Sequence, residues 1–196
     1  MLTCEPLTFG AGSMVGVMRF TLRGFAVTHG RPVTVPTNTN LTYAGLLAGR
    51  DVLNDYIRKT PGKKIVFAYS RGAQFASEWL RTYASAVDAP PASELSFVLI
   101  GNPQRRLGGV VGKTLDGVEL QSTPDDTQYS VVDLTRQKDG WANSDNWPSP
   151  ATLAARTNLA SRGKFVVHAN YAFNSIDDPR NQVREVVGNT TYLVGP

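Results

Sequence analysis

The segment Lys63-Lys64-Ile65-Val66-Phe67-Ala68-Tyr69-Ser70-Arg71-Gly72-Ala73 runs from a short apolar stretch into Ser70 and then directly into an amphipathic helical pattern. A strand that turns sharply into a helix at a serine exposes the hydroxyl on the turn and aims the helix N-terminus at it, the arrangement of a nucleophile elbow. Small residues two before and two after the serine suit such a turn, because it brings the strand and helix backbones together. Here they are Ala68 and Gly72, so the motif is A-x-S-x-G. The plainer alternative is that Ser70 only caps the helix that follows, as serines often do.

A hydroxyl nucleophile needs a base to take its proton, and the chain has only two histidines, His29 and His168. In hydrolases built on this elbow the chain order is serine, acid, histidine, which selects His168 over His29. The acid is expected on a loop after a strand between the two. Asp139, in Thr135-Arg136-Gln137-Lys138-Asp139-Gly140-Trp141, meets that condition. Asp133 competes, but it lies inside an apolar run and reads as structural; Asp145 is a third candidate. The acid matters mechanistically because it fixes the imidazole tautomer and stabilises the imidazolium.

The developing oxyanion requires two donors. The backbone N–H of Arg71 supplies one by position, and Ser13, in the glycine-rich loop Leu7 to Met14, supplies the other through its backbone or hydroxyl. The same loop fails as a dinucleotide fingerprint: Gly16 follows Gly12 by four residues instead of three, and no acidic residue sits about 20 positions on. Trp141, Trp147, Tyr171 and Phe173, close to the acid and base in sequence, are candidates for an acyl-binding wall, with core packing as their default reading.

The elements that must position these residues are legible from hydrophobic pattern. Ile65 to Tyr69, Leu95 to Ile100 and Tyr129 to Leu134 are short, β-branched or aromatic runs closed by turn residues, hence strands buried on both faces. Leu7 to Gly10 and Pro32 to Val35 are further expected strands, Val166-Val167 ends another, and Thr190 to Val194 forms a last one. Tyr43 to Lys59 carries Leu46, Leu53 and Ile57 on one helical stripe, and Gly72 to Val87 places Phe75, Trp79, Tyr83 and Val87 at intervals of four. Pro61-Gly62 stops the first helix and Pro90-Pro91 follows the second. Gly101 to Asp126, rich in Gly, Pro and Asp, reads as a surface excursion. Strands alternating with helices predict an α/β fold with a central, mostly parallel sheet and helices on both faces, in one domain over residues 1–196.

Composition narrows the function classes. Hydrophobic residues make up 41% and charged residues 18%, which is enough for a packed core and excludes disordered and fibrous classes. The formal net charge is +4, but the Lys and Arg residues are scattered in singles and pairs with no aromatic-interleaved basic stripe, so no nucleic-acid partner is expected. A single cysteine, Cys4, allows no intrachain disulfide. The N-terminus lacks a signal-peptide pattern and no run is long enough to span a membrane, so a soluble protein without a transmembrane segment is expected. No clustered ligands at metal spacing occur, and no metal or organic cofactor is expected.

Five segments together resemble the PE-PPE domain of mycobacterial proteins, a cutinase-like serine esterase family within the α/β hydrolases. They are Ala68-Tyr69-Ser70-Arg71-Gly72-Ala73, Phe97 to Pro103, Asp139-Gly140-Trp141-Ala142, His168 with Tyr171, and Gly188 to Val194, and they occur in the family's order. The resemblance implies a Ser-Asp-His triad of Ser70, Asp139 and His168 and hydrolysis of small-molecule or lipid acyl esters. It departs at Ala68 and Arg71, where the family usually has Gly and Gln, and at Lys138 and Asn143, the first and last positions of the family's Y-D-G-x-A-D. Stand-alone domains of this kind resemble proteins of mycobacteriophages, which implies a site of action in a host cytoplasm or a virion. The competing expectation, from another class, is a non-catalytic binding or structural module that retains the fold, since fold alone does not guarantee activity.

Overall fold

A computed structural model describes residues 1–5, 17–110, 112–144 and 162–196. Its centre is a seven-stranded sheet in the order β2-β1-β3-β4-β5-β7-β6. The strands are β1 (Leu2–Cys4), β2 (Val33–Val35), β3 (Lys64–Tyr69), β4 (Leu95–Ile100), β5 (Ser130–Arg136), β6 (Gln182–Val187) and β7 (Thr190–Gly195). All neighbours pair in parallel except β6, which runs antiparallel to β7 at the sheet edge. The helices are α1 (Phe25–Thr28), α2 (Tyr43–Lys59) and α3 (Arg71–Tyr83). This is the expected α/β fold with a mostly parallel sheet.

Alternation along β3 explains the layers. Val66 and Ala68 face a cluster that contains Leu46, Leu53 and Ile57 of α2 and Phe75, Ala76 and Trp79 of α3. Phe67 and Tyr69 face the other cluster, with Met18, Leu22, Phe25 and Tyr171. Successive strand residues point to opposite faces, so a continuous apolar run is what a strand covered on both sides requires. The α2 stripe predicted from sequence is the stripe that is buried. Gly49 lets α2 and α3 approach, since a Cβ there would lie 2.3 Å from the ring of Phe75.

Several boundaries differ from the sequence reading. The second helix stops at Tyr83, because Val87, the last residue of its four-residue spacing, is fully exposed and offers no packing to extend it. The strand expected from Tyr129 begins one residue later and continues to Arg136. Val166-Val167 does not end a strand; it lies in a π-helical turn, Gly163–Val167, with Val166 exposed and Val167 half-buried. The Leu7 to Gly10 strand falls outside the described residues, and the sheet's N-terminal strand is Leu2–Cys4. Strand β6 was not expected, because five of its six residues are exposed and it shows no burial period. The signal that marks it is the Gly188-Asn189 connection to β7, with Gly188 at φ +54°, a tight hairpin.

The Gly101 to Asp126 excursion is not wholly superficial. Asn102, Gln104 and Arg105 at its start are fully buried, and Thr123 near its end is nearly so. They form a polar network under the sheet's C-terminal edge, in which Asn102 Nδ2 donates to Asp133 Oδ2 (2.8 Å) and Gln104 Nε2 to Glu78 Oε1 (2.9 Å). No helix among the described residues is long and apolar enough to cross a membrane.

Candidate active site

Ser70 stands between the end of β3 and the start of α3 with φ +54° and ψ −113°. Only three non-glycine residues among those described have positive φ, and a serine in this region is strained. The elbow holds the strain: Ser70 N–H donates to the carbonyl of Ile100 (3.1 Å), and its own carbonyl accepts from Gln74 N–H (3.1 Å). Its hydroxyl makes no capping bond to α3. The capping alternative is thereby removed. The need for Gly72 is steric: a Cβ there would lie 2.3 Å from the carbonyl oxygen of Cys4 at the end of β1.

His168, in the turn after the π-helical segment, brings Nε2 to 2.8 Å from Ser70 Oγ. Its Nδ1 lies 3.0 and 2.9 Å from the two carboxylate oxygens of Asp139. The three residues therefore form one hydrogen-bonded chain although they are separated by 98 and 29 positions in sequence. Asp139 is fully buried on the loop after β5. Its Oδ1 accepts the N–H groups of Trp141 (2.8 Å) and Ala142 (3.0 Å), and its Oδ2 accepts the hydroxyl of Tyr171 (2.6 Å). Burial pushes this carboxyl upward, but the bond and charge of His168, with the bonds from Tyr171 and Trp141, outweigh burial and hold it below the ordinary carboxylate range. It is ionised wherever His168 needs an acceptor.

Two tyrosines not assigned such roles by the sequence secure this chain. Tyr69, next to the serine, donates its hydroxyl to the carbonyl of His168. Tyr171, three residues after the histidine, binds the acid and packs edge-on against Tyr69 at 5.4 Å. Asn143, where the family pattern has an acid, closes the loop instead: its Nδ2 donates to the carbonyl of Gln137 at 2.9 Å.

The competing residues lie elsewhere. Asp133 is buried in β5 and paired with Arg105 (2.8 Å), and burial, against the attraction of Arg105, raises its pKa. His29 stacks on Phe25 with ring centroids 4.1 Å apart. Ser13, Asp145 and Trp147 lie outside the described residues.

Ser70 and His168 open onto a cleft of about 380 Å³. Its apolar wall comes from Leu41, Val110, Leu115, Leu120, Trp141 and Phe165. Of the expected acyl wall, Trp141 lies there. Tyr171 does not, being buried against Asp139, and Phe173 is 78% exposed and does not line the cleft. Arg71 does line it, buried at 3% exposure. Its guanidinium donates to the Asn40 carbonyl (2.7 Å) and the Gln74 side chain (3.1 Å), and lies 5.1 Å over the ring of Phe75. Burial lowers its pKa.

A serine in this setting can lose its proton to a neutral imidazole as it attacks a carbonyl, with Asp139 stabilising the imidazolium that results. Comparison with known proteins adds the lineage. The PE-PPE domain profile matches residues 29–196. Esterase PE16 of Mycobacterium tuberculosis is 38% identical over 146 residues, covering 67% of this chain and 27% of that protein. PPE family protein PPE28 of the same organism is 32% identical over 176 residues, 82% of this chain and 25% of that protein. The SL1278 acyltransferase Chp1, also from M. tuberculosis, is 26% identical over 165 residues, 83% of this chain and 40% of that protein. The chain thus spans less than half the length of each of these relatives. Among solved structures, a cutinase-like protein from Cryptococcus sp. aligns with a TM-score of 0.48 and 16% identity over 89% of this chain and 94% of that one.

Proposed function

This chain belongs to the PE-PPE domain family, and from that premise we propose that it is a serine esterase acting on carboxylic esters through Ser70, His168 and Asp139. The observation that carries the reading is the 2.8 Å approach of His168 Nε2 to a serine hydroxyl that caps nothing. His168 takes the proton from Ser70 as Oγ attacks the ester carbonyl, and returns it to the alcohol oxygen as the acyl–oxygen bond breaks. Water, deprotonated by the same imidazole, then releases the acid from the acyl-enzyme. Arg71 N–H, the first amide after the nucleophile, is one donor to the oxyanion, with Ser13 assigned as the second. The similarity to a protein named an esterase supports the reaction class.

A second outlet for the acyl group is favoured by one observation, the similarity to a protein named an acyltransferase. An alcohol in place of water would then accept the acyl group from Ser70.

Labelling with a fluorophosphonate tests the premise common to both outlets. An activated Ser70 forms a stable adduct, and Ser70→Ala does not. Absence of an adduct in the folded wild-type protein would leave the fold as a non-catalytic module. Adding a short alcohol to a nitrophenyl ester assay separates the outlets, since a transferase yields the new ester in place of free acid.

A further inference from the structure

The charged side chains among the described residues that line the cleft are Arg71, Lys113 and Lys164, all cationic. Lys113 is exposed and paired with Glu119 at 3.1 Å. The other two have no carboxylate partner within ion-pair distance among the described residues. Lys164, half-buried in the turn leading to His168, lies 4.6 Å over the ring of Trp141. Arg71 is more telling: its guanidinium is buried, its acceptors are a carbonyl and an amide, and its Nε has no hydrogen-bond partner among the described residues. If Arg71 served only to tie α3 to the loop before α2, a neutral donor would do so without the cost of burying a cation that has no carboxylate partner among the described residues. A charge kept at such a cost beside the nucleophile makes sense when its counter-ion arrives with the substrate.

We propose that the cleft is selective for esters that carry an oxyanion, a carboxylate, phosphate or sulfate, and that Arg71 and Lys164 set that preference. The inference rests on the cleft being the ester-binding site. Its lining agrees with an amphiphile: the apolar residues Leu41, Leu115 and Phe165 offer a surface for the hydrocarbon portion, while the two cations line the same cleft as Ser70 and His168. The attraction is strong because the guanidinium stands out of water, where charges are poorly screened.

Two nitrophenyl esters matched in acyl length test it, the neutral pentanoate and the monoester of glutarate. The wild-type kcat/KM should favour the glutarate ester by about tenfold, a preference that falls as salt is raised from about 0.05 to 0.5 M. Arg71→Gln and Lys164→Gln should each reduce the ratio of the two constants several-fold, and Arg71→Lys should keep most of it. Arg71→Gln should also raise Tm, because it removes an unpaired buried charge. A binding arm uses Ser70→Ala and calorimetry with octanoate, octyl phosphate, octyl sulfate and neutral octanol. Tighter binding of an octyl anion than of octanol, weakened by Arg71→Gln, supports the inference even if no ester is hydrolysed, and the tightest anion identifies the headgroup. Hydrolysis of both esters with a ratio at or below one, together with anion binding no tighter than octanol, overturns it while leaving the esterase reading in place.

Discussion

At the scale of single residues, Asp139 and Asp133 show how environment separates two carboxylates six positions apart. Asp139 accepts bonds from two backbone amides, a tyrosine and the imidazole, and its pKa is depressed. Its contribution to stability is therefore complete above the unfolded-chain value of about 3.9 and is lost as pH falls through the lower folded value. Asp139→Asn should flatten the loss of stability in acid and lower turnover by orders of magnitude, read by urea unfolding between about pH 5 and 3 and by ester hydrolysis. Asp133→Asn should cost stability instead, about 3–5 kcal/mol, because it leaves Arg105 buried without its partner. A variant pair with these two outcomes exchanged would move the catalytic assignment to Asp133. Tyr171→Phe removes the 2.6 Å donor to Asp139 and keeps the ring packing. It should reduce kcat about ten- to a hundredfold with little change in KM, since a hydrogen bond to a charged group is worth about 1.5–3 kcal/mol. An unchanged kcat would make Tyr171 a packing residue only. Ser70, Asp139 and His168 were legible because the elbow pattern and the chain order constrain the choice. The two tyrosines were not assigned positioning roles: Tyr69 ends an apolar run and reads as core, Tyr171 reads as acyl wall or core, and the partner of each hydroxyl is set by the fold.

At the scale of elements, the strands and helices with strong periodicity were readable, and the misreadings have physical causes. The β3–Ser70–α3 unit was visible because both of its flanks are buried and amphipathic. Strand β6 was invisible because an exposed edge strand takes its place from pairing with β7 rather than from burial. The turn before His168 was mistaken for a strand end because β-branched residues suggest one, whereas Val166 is exposed there and packs in no sheet. The loop after β4 shows how an element's end serves the site. Gly101 has φ +52°, and a Cβ on it would lie 3.0 Å from His168 Cε1. Gly117 has φ +82° with nothing within 4 Å of the same position. Gly101→Ala and Gly117→Ala should each lose about 1–2 kcal/mol to left-handed strain. Only Gly101→Ala should also depress turnover, by pressing on the imidazole. Thermal unfolding and kcat measured on both variants check this; equal losses of kcat would show that the close approach has no bearing on His168.

At the scale of the whole molecule, the sheet's connectivity explains where the cleft must be. The chain passes from β1 to β2 on one side and then crosses to β3 on the other, so the strand order reverses between β1 and β3. Open α/β sheets bind ligands outside the carboxyl ends of their strands at such a reversal, and Ser70 leaves β3 at that point. The segments that follow β3, β4 and β5 contribute Ser70 and Arg71, Pro103 with Val110, Gly112 to Leu115 and Leu120, and Trp141 to the same concavity. Its wall could not be chosen from sequence, because aromatic residues near the acid and base are as often core as lining, and Tyr171 and Phe173 are not lining. The assignment of Trp141 to an acyl wall leads to a distinct kinetic expectation. Along nitrophenyl esters from two to about sixteen carbons, each methylene that enters the apolar wall should lower the barrier by at most about 0.8 kcal/mol, about fourfold in kcat/KM. The rise should stop once the cleft of about 380 Å³ is full, and further carbons should add nothing. Trp141→Ala should lower and flatten the rising part, since it removes wall area beside His168, with ring centroids 6.5 Å apart. Phe173→Ala should leave the profile as it is, because that ring is exposed and outside the cleft. Soluble short esters should be turned over below their micelle-forming concentration, since the described cleft is open at its mouth, where Leu115 and Phe165 are 77% and 71% exposed. A flat profile in wild type and both variants would show that the acyl chain lies elsewhere, and activity confined to micellar substrate would show that the cleft opens only against an interface.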